Sequence, residues 1–200
     1  MENGSEPLSY SPDVETSLQD NMYACVQHAI NGLSDMVGGT YEVKACESRC
    51  ASILLLPGFT ADPEADAVGV YLRAVGPVCG QLLMSMPLSM AKDMVERMTG
   101  SPFDSLGSLE ISALGEAGNL MSGHFLRELE ENSRFSARPT PPAVVVDMLS
   151  TILETVALSS PELAVPKILT HAAFQLQGAS DRADFWFVFD HSDVCQAEVE

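Results

Sequence analysis

Basic residues are scarce in this chain. Of its 200 residues only 10 are lysine or arginine, against 28 aspartates and glutamates, and the formal net charge at pH 7 is -18. So few cations cannot neutralise a run of phosphates, and the composition therefore argues against direct binding of nucleic acid. The same negative field repels anionic lipid surfaces and favours a protein partner whose own site is rich in basic side chains.

Long hydrophobic runs are missing as well. Runs such as residues 53–57 are far too short to span a bilayer. The opening segment, MENGSEPLSY, has neither the basic flank nor the apolar stretch of a secretion signal. We therefore expect a cytoplasmic protein without a membrane anchor.

Closely spaced metal-binding residues are almost absent. The five cysteines are an odd number at scattered positions, which is not the pattern of a disulfide framework. Cys46 and Cys50 could form half of a zinc site, but no second close pair of Cys or His follows them. The sequence thus predicts free thiols and no metal site. The residues concerned are Cys25, Cys46, Cys50, Cys79, Cys195, His28, His124, His171 and His191.

Regular secondary structure is predicted from about residue 15 onward. Residues 1–14 carry Gly, Ser, Pro and acids without periodicity, and we expect them to form a mobile leader. Apolar residues then recur at three- and four-residue steps until Gly38 and Gly39 end the pattern. The predicted elements of the first half are a helix over 14–37, extended segments within 41–56, strands over 67–75 and 78–86, and a helix between 87 and 100.

The second half repeats this order. Its predicted elements are a long helix over 108–132, a strand over 143–146, a helix within 147–158, hairpin strands within 163–177 and 184–190, and a short acidic tail. An offset of 88 residues places Asn31 on Asn119 and superimposes the apolar positions of the two long helices. We therefore predict one domain over 15–200 with two pseudo-symmetric halves, about 15–100 and 108–200. Its fold class is α/β (α+β), a mostly antiparallel sheet with the two long helices on one face.

The second long helix has a polar ridge. At about 100° per residue, Ser112, Glu116, Asn119 and Gly123 fall within about 60° of one another and point about 150° away from the apolar stripe. The stripe consists of Ile111, Leu114, Gly118, Met121, Phe125 and Leu129. A polar outer face is common on a surface helix, so this spacing alone is weak support for a functional site.

Three glycines lie in the helix that carries the polar ridge. Gly115, Gly118 and Gly123 each lower helix propensity by roughly 1 kcal/mol, although no helix end is near. Small residues beside Glu116 and Asn119 suggest close approach by something else.

These residues carry a family resemblance. Ser112, three residues, Glu116, two residues, Asn119, 22 residues and then Pro142 is similar to the signature of the CheC/CheX-type phosphatases of bacterial chemotaxis, with a match at every specified position. The family is built from two related halves with a long helix in each, and some members carry the motif in both. The resemblance therefore covers almost all of residues 15–200.

The first half departs from a two-site pattern. At the offset of 88, Ala24, His28 and Asn31 stand in place of Ser112, Glu116 and Asn119, and Leu54 stands in place of Pro142. Only the asparagine is kept. A neutral imidazole cannot hold an ammonium group as a carboxylate does, so we expect His28 and Asn31 to form a degenerate first site.

The resemblance implies hydrolysis of the phospho-aspartate of a CheY-like receiver domain, with Glu116 and Asn119 as the catalytic residues. Asn119 would hold an attacking water in line, and the exposed, ionised Glu116 would pair with a lysine of the receiver. Ser112 would lie at the edge of the docking surface or orient Glu116, and Pro142 would break the chain before the next strand. We expect no cofactor of the chain's own, because the Mg²⁺ of this scheme is bound by the receiver.

Two alternatives remain open. One is a non-enzymatic interaction or scaffold protein, such as a CheC-like flagellar-switch component, against which the intact second motif argues. The other is an independent hydrolase that uses a Cys or His, although no nucleophile elbow, phosphate-binding glycine loop or metalloprotease helix is present. The oligomeric state is left open. Residues 191–200 have little apolar area, so we expect no CheD-type partner to bind at this terminus.

Overall fold

A computed structural model describes residues 12–60, 62–77, 79–133, 136–160, 163 and 165–189, with side chains from Asn21 onward. The described residues form a seven-stranded sheet with α-helices and one short 3-10 helix. The strands are β1 (Tyr41–Ala51), β2 (Asp66–Val75), β3 (Gly80–Pro87), β4 (Arg138–Pro139), β5 (Ala143–Met148), β6 (Lys167–Leu176) and β7 (Ala183–Phe189). The α-helices are α1 (Pro12–Val37), α2 (Leu88–Thr99), α3 (Ser108–Asn132) and α4 (Leu149–Leu158), and the 3-10 helix is Ile53–Phe59.

The helix ends follow the local chemistry of the sequence. Gly38 and Gly100 have φ values of 75° and 71°, in the left-handed region that glycine adopts without strain, and they end α1 and α2. The Gly100 N–H donates to the Glu96 carbonyl at 2.8 Å. The predicted helices over 14–37, 87–100 and 108–132 are confirmed.

The sheet joins the two halves of the chain by exchange of strands. Its order is β1-β6-β7-β3-β2, with β4 and β5 both paired to the outer edge of β2, and all pairs are antiparallel. Strands β3 and β7, one from each half, are neighbours at the centre. The hairpin β6–β7 of the second half pairs along its outer edge with β1 of the first half. In the same way, the hairpin β2–β3 of the first half pairs along its outer edge with β5 of the second half. The predicted fold, two pseudo-symmetric halves around an antiparallel sheet, is confirmed.

Both faces of the sheet are covered. Helices α1, α2 and α3 pack on one face, against residues such as Leu82 and Met84 of β3. The other face carries a second core, in which α4 and the 3-10 helix pack on Leu83 and Trp186. Placement of the two long helices on one face is confirmed, whereas the second core was not predicted from the sequence.

The segment after β1 corrects the prediction of extended structure through residue 56. Ile53 and Leu56 are fully buried, while Leu54 and Leu55 are more than half exposed. Burial at a spacing of three residues is typical of a 3-10 helix, in which residues i and i+3 lie above one another. A strand would have buried alternate residues.

The offset of 88 residues between the halves does not extend beyond the long helices. Leu54 lies in the 3-10 helix, whereas Pro142 lies between β4 and β5, which together occupy the edge position that β1 has in the other half. The proposed equivalence of Leu54 and Pro142 is therefore wrong. The pairing of β1 with β6 is also interrupted, by a register shift between Val43 and Ala45. This irregularity of the edge strand in the first half corresponds to the break at Pro142 in the second half.

Two predictions concern residues that the structure does not describe. Most of the predicted leader, residues 1–11, and the tail 191–200 lie outside the described residues. Among the residues that are described, no helix combines the length and the hydropathy needed to cross a membrane.

Candidate functional site

Helix α3 carries the candidate site, and its start is fixed by local hydrogen bonds. The Gly107 N–H donates to Glu110 Oε2 at 2.9 Å, and the Ile111 N–H donates to the Gly107 carbonyl at 3.0 Å. Burial of the helix begins at Leu114. Ile111, which the pattern placed in the apolar stripe, is 40% exposed because it lies one turn before the helix reaches the core.

Two glycines set the distance between α3 and the sheet. A Cβ on Gly118 would lie only 2.4 Å from Val70 Cγ1 of β2, and a Cβ on Gly115 would lie 3.3 Å from Pro142 Cγ. The close approach that these small residues predict is therefore made by other parts of the same chain, β2 and Pro142. Gly123 differs, since no atom of the described residues lies within 4 Å of its Cβ position.

The polar ridge lies at the surface as one continuous row. Ser112 and Glu116 are exposed, and Asn119 is half-buried one turn further along α3. Within the described part of the chain, no side-chain hydrogen bond or ion pair engages any of the three. The carboxylate and the carboxamide are thus both free to bind another molecule.

Glu116 and Asn119 share an open depression of about 330 Å³. Its other lining residues are Leu120, Gly123, His124, Arg127 and Pro139. The structure thus brings Glu116 and Asn119 together. Ser112 lies on the same ridge but outside the lining, and Pro142 lies against Gly115 behind the helix. The Pro142 contact suits a residue that holds the helix in place.

The corresponding residues of α1 have other partners. Asn31 is exposed, and its Oδ1 accepts a hydrogen bond from Gln27 Nε2 at 3.0 Å. His28 is half-buried, and its Nε2 lies 3.2 Å from His124 Nδ1. The two rings meet where α1 packs against α3, a line of contact that we call the seam. Its Nδ1 lies 3.6 Å from Glu128 Oε2. The residue of α1 that corresponds to Glu116 is therefore a histidine in contact with α3, not a free carboxylate.

The sequence did not single out His124, Arg127 or Pro139 as part of the site. His124 and Arg127 stand two helical turns after Glu116 and Asn119 respectively, so the period of α3 already places them on the same side of the helix. Pro139 arrives from β4, which no local pattern predicted. Arg127 is well exposed and lies 3.8 Å from Glu131 in a loose ion pair.

Buried thiols do not support a cysteine-based hydrolase. Burial raises the pKa of Cys25 to about 12 and that of Cys46 to about 11, so both thiols are protonated and unreactive at neutral pH. Over the described ranges, no group of three His, Cys, Asp or Glu side chains is arranged to hold a metal ion.

Comparison with known proteins points to one family. The sequence model of the CheC-like family matches residues 109–146, from the start of α3 into β5. The CheY-P phosphatase CheC of Bacillus subtilis (strain 168) is 22% identical over 131 residues, and the match covers 63% of this chain and 63% of the length of that protein.

Solved structures share the fold. Thermotoga maritima FliY matches with a TM-score of 0.66 and 16% identity, over 94% of this chain and 96% of that chain. The CheX-CheY-BeF3-Mg+2 complex from Borrelia burgdorferi matches with a TM-score of 0.57 and 17% identity, over 86% of this chain and 99% of that chain. The family match spans the segment that carries Glu116, Asn119 and Pro142, and the overall fold is shared with these structures. The chain is therefore similar to CheC/CheX-type proteins, both in the segment that carries the candidate site and in its fold.

Proposed function

We propose that this chain is a phosphatase that hydrolyses the phospho-aspartate of a CheY-like receiver domain. Asn119 positions the attacking water, and Glu116 anchors the receiver. The observation that carries the proposal is the pair itself. Two side chains that fit these roles share one open depression, on a helix fixed by its cap and by close packing, and neither is engaged within the described chain.

The reaction requires few catalytic groups from the protein. An acyl phosphate is already activated, so its hydrolysis needs a water molecule in line with the bond that breaks rather than a covalent intermediate. A carboxamide can accept one hydrogen bond from that water and donate another to the phosphoryl group. Asn119 is half-buried on a rigid helix, so it loses little conformational freedom when it orients the water.

Glu116 suits a docking role. It is exposed, and no cation of the described chain pairs with it, so its carboxylate is free to bind a lysine of the receiver. The net charge of -18 adds long-range attraction toward a basic site. The ion pair would fix the orientation in which Asn119 reaches the phosphoryl group.

The proposal assigns the metal to the partner. Mg²⁺ would be held by the receiver and would neutralise the charge of the phosphoryl oxygens, and this chain would supply only the two side chains. The comparisons support a receiver as the partner. The relative in Bacillus subtilis is named for CheY-P phosphatase activity, and one structural neighbour is a complex of CheX with CheY and Mg+2.

The test is phosphate release from a phosphorylated CheY receiver domain, corrected for its spontaneous loss. Asn119→Ala should lower the catalysed rate by about 10²–10³, because removal of one positioning group from a preorganised site costs roughly 3–4 kcal/mol. Asn31→Ala is the matched control, the same change on the exposed face of α1, and it should stay within a few-fold of the parent. Circular dichroism and thermal unfolding establish that both variants are folded.

Glu116→Ala should weaken receiver binding as well as turnover. Activity of Asn119→Ala within a few-fold of the parent would contradict the assignment of the water-positioning residue. A parent chain that binds the receiver without accelerating phosphate loss would instead support the non-enzymatic interaction protein.

A further inference from the structure

Two histidines join the long helices beside the candidate site. His28 Nε2 of α1 lies 3.2 Å from His124 Nδ1 of α3, and the ring centroids are 5.0 Å apart with a tilt of 44°. His124 also lines the depression that contains Glu116 and Asn119. One imidazole therefore touches both the seam between the helices and the site.

Gly32 makes room for this ring. A Cβ at Gly32 would lie 2.8 Å from Cδ2 and 2.9 Å from Nε2 of His124, and any larger residue would push the ring outward. The His124 ring is thus held by the backbone of α1 as well as by His28. Its position depends on α1, although the residue belongs to α3.

The hydrogen bond between the rings restricts their protonation. One imidazole must present an N–H and the other a lone pair. His28 Nδ1 faces Glu128 Oε2 at 3.6 Å, and the same carboxylate accepts a hydrogen bond from Asn132 Nδ2 at 2.7 Å. With His124 neutral, either ring can supply the N–H of the bond between them.

The electrostatic surroundings favour this state. Burial, His28 and Arg127 lower the pKa of His124, and Asp35 of α1 opposes them more weakly. Protonation of His124 would place a positive charge close to Arg127 and His28, which disfavours the contact between the rings. We therefore expect this contact to weaken as the pH falls.

We propose that His124 is a positioning residue of the Glu116–Asn119 site, and that His28, which stands where the second half has Glu116, holds His124 instead of serving a site of its own. The proposal rests on the proposed phosphatase function for its effect on turnover. It explains why the first half lacks a carboxylate at this position: the imidazole of His28 acts on the remaining site.

The first experiment does not depend on activity. The ring-proton signals of the full chain are followed by NMR between pH 4.5 and 8.5, for the parent, His28→Gln and the control Asn31→Ala. In His28→Gln the pKa of His124 should rise toward the ordinary histidine value of about 6.5, because the lowering effect of His28 on that pKa is removed. Asn31→Ala should leave it unchanged. An unchanged His124 pKa in His28→Gln would overturn the pairing.

The second experiment measures phosphate release from phosphorylated CheY across the same pH range. The rate of the parent should fall toward acidic pH in step with the protonation of His124, and in His28→Gln the pH of this fall should shift. His124→Gln should lack the fall, and its rate at neutral pH should be lower by up to about 10²-fold if the site is displaced by 1 Å. The same fall toward acidic pH in all variants would overturn the positioning role.

The two proposals fail in distinguishable ways. A parent without phosphatase activity would refute the proposed function, while the NMR titration would still decide whether the rings are coupled. Receiver affinity, measured over the same pH range in the same variants, then decides whether the contact between the rings affects the Glu116–Asn119 site. If the pH dependence of affinity is identical in His28→Gln and the parent, the proposed effect on the site is wrong.

Discussion

Gly118→Ala should destabilise the protein although alanine is the better helix former. The new Cβ would lie 2.4 Å from Val70 Cγ1 and 3.0 Å from Val70 Cβ, whereas carbon atoms in contact are normally about 3.5–4.0 Å apart. Val70 is completely buried, and a β-branched side chain has few rotamers into which it can move. Helix α3 must therefore move away from β2 until the distance between the new methyl group and Val70 approaches a normal contact distance.

Two opposing terms determine the magnitude. Overpacking of a core by one methyl group costs about 1–3 kcal/mol. Replacement of glycine by alanine inside a helix returns roughly 0.5–1 kcal/mol. The net loss of unfolding free energy should be about 0–2.5 kcal/mol. Gly123→Ala is the matched control, because its Cβ meets no atom of the described residues within 4 Å, and it should gain roughly 0.5–1 kcal/mol.

Urea unfolding followed by circular dichroism separates these outcomes. The midpoint of Gly118→Ala should fall and that of Gly123→Ala should rise, with unchanged denaturant slopes. In Val70→Ala, which removes the clash, the cost of Gly118→Ala should shrink by about 0.5–3 kcal/mol. A Gly118→Ala protein as stable as Gly123→Ala would refute the reasoning that close packing against β2 requires this glycine.

Three further predictions concern two buried side chains, Tyr41 and Cys25. The Tyr41 hydroxyl is buried and has no hydrogen-bond partner among the described residues, so Tyr41→Phe should leave unfolding free energy unchanged or raise it. Burial also raises the pKa of Tyr41 to about 12, so the parent should lose stability as the pH rises above about 10, where the unfolded chain ionises first. Urea titrations at pH 8 and pH 11 should show this loss in the parent and a smaller one in Tyr41→Phe, and equal losses would contradict it. Burial raises the pKa of Cys25 to about 12, so iodoacetamide at pH 8 should label it only after unfolding. Rapid labelling of the native protein, detected by peptide mass spectrometry, would show that Cys25 is accessible.

The sequence determined the elements and the face that carries the site. Helix periodicity and glycine ends are local properties, so the bounds of α1, α2 and α3 followed from them. The spacing of Glu116 and Asn119 placed both on one side of α3 for the same reason, and the motif around them predicted a similarity to the CheC-like family, whose model matches this segment.

The tertiary structure decided what those residues contact. The apolar run at 53–56 has no alternation, so only packing on the second face selects a 3-10 helix there. Gly118 owes its presence to Val70, and His28 meets His124 across 96 residues of sequence. Such contacts depend on which strand lies beside which and on how closely a helix approaches the sheet. Helical and strand periods describe only neighbours along the chain, so they cannot specify these distances.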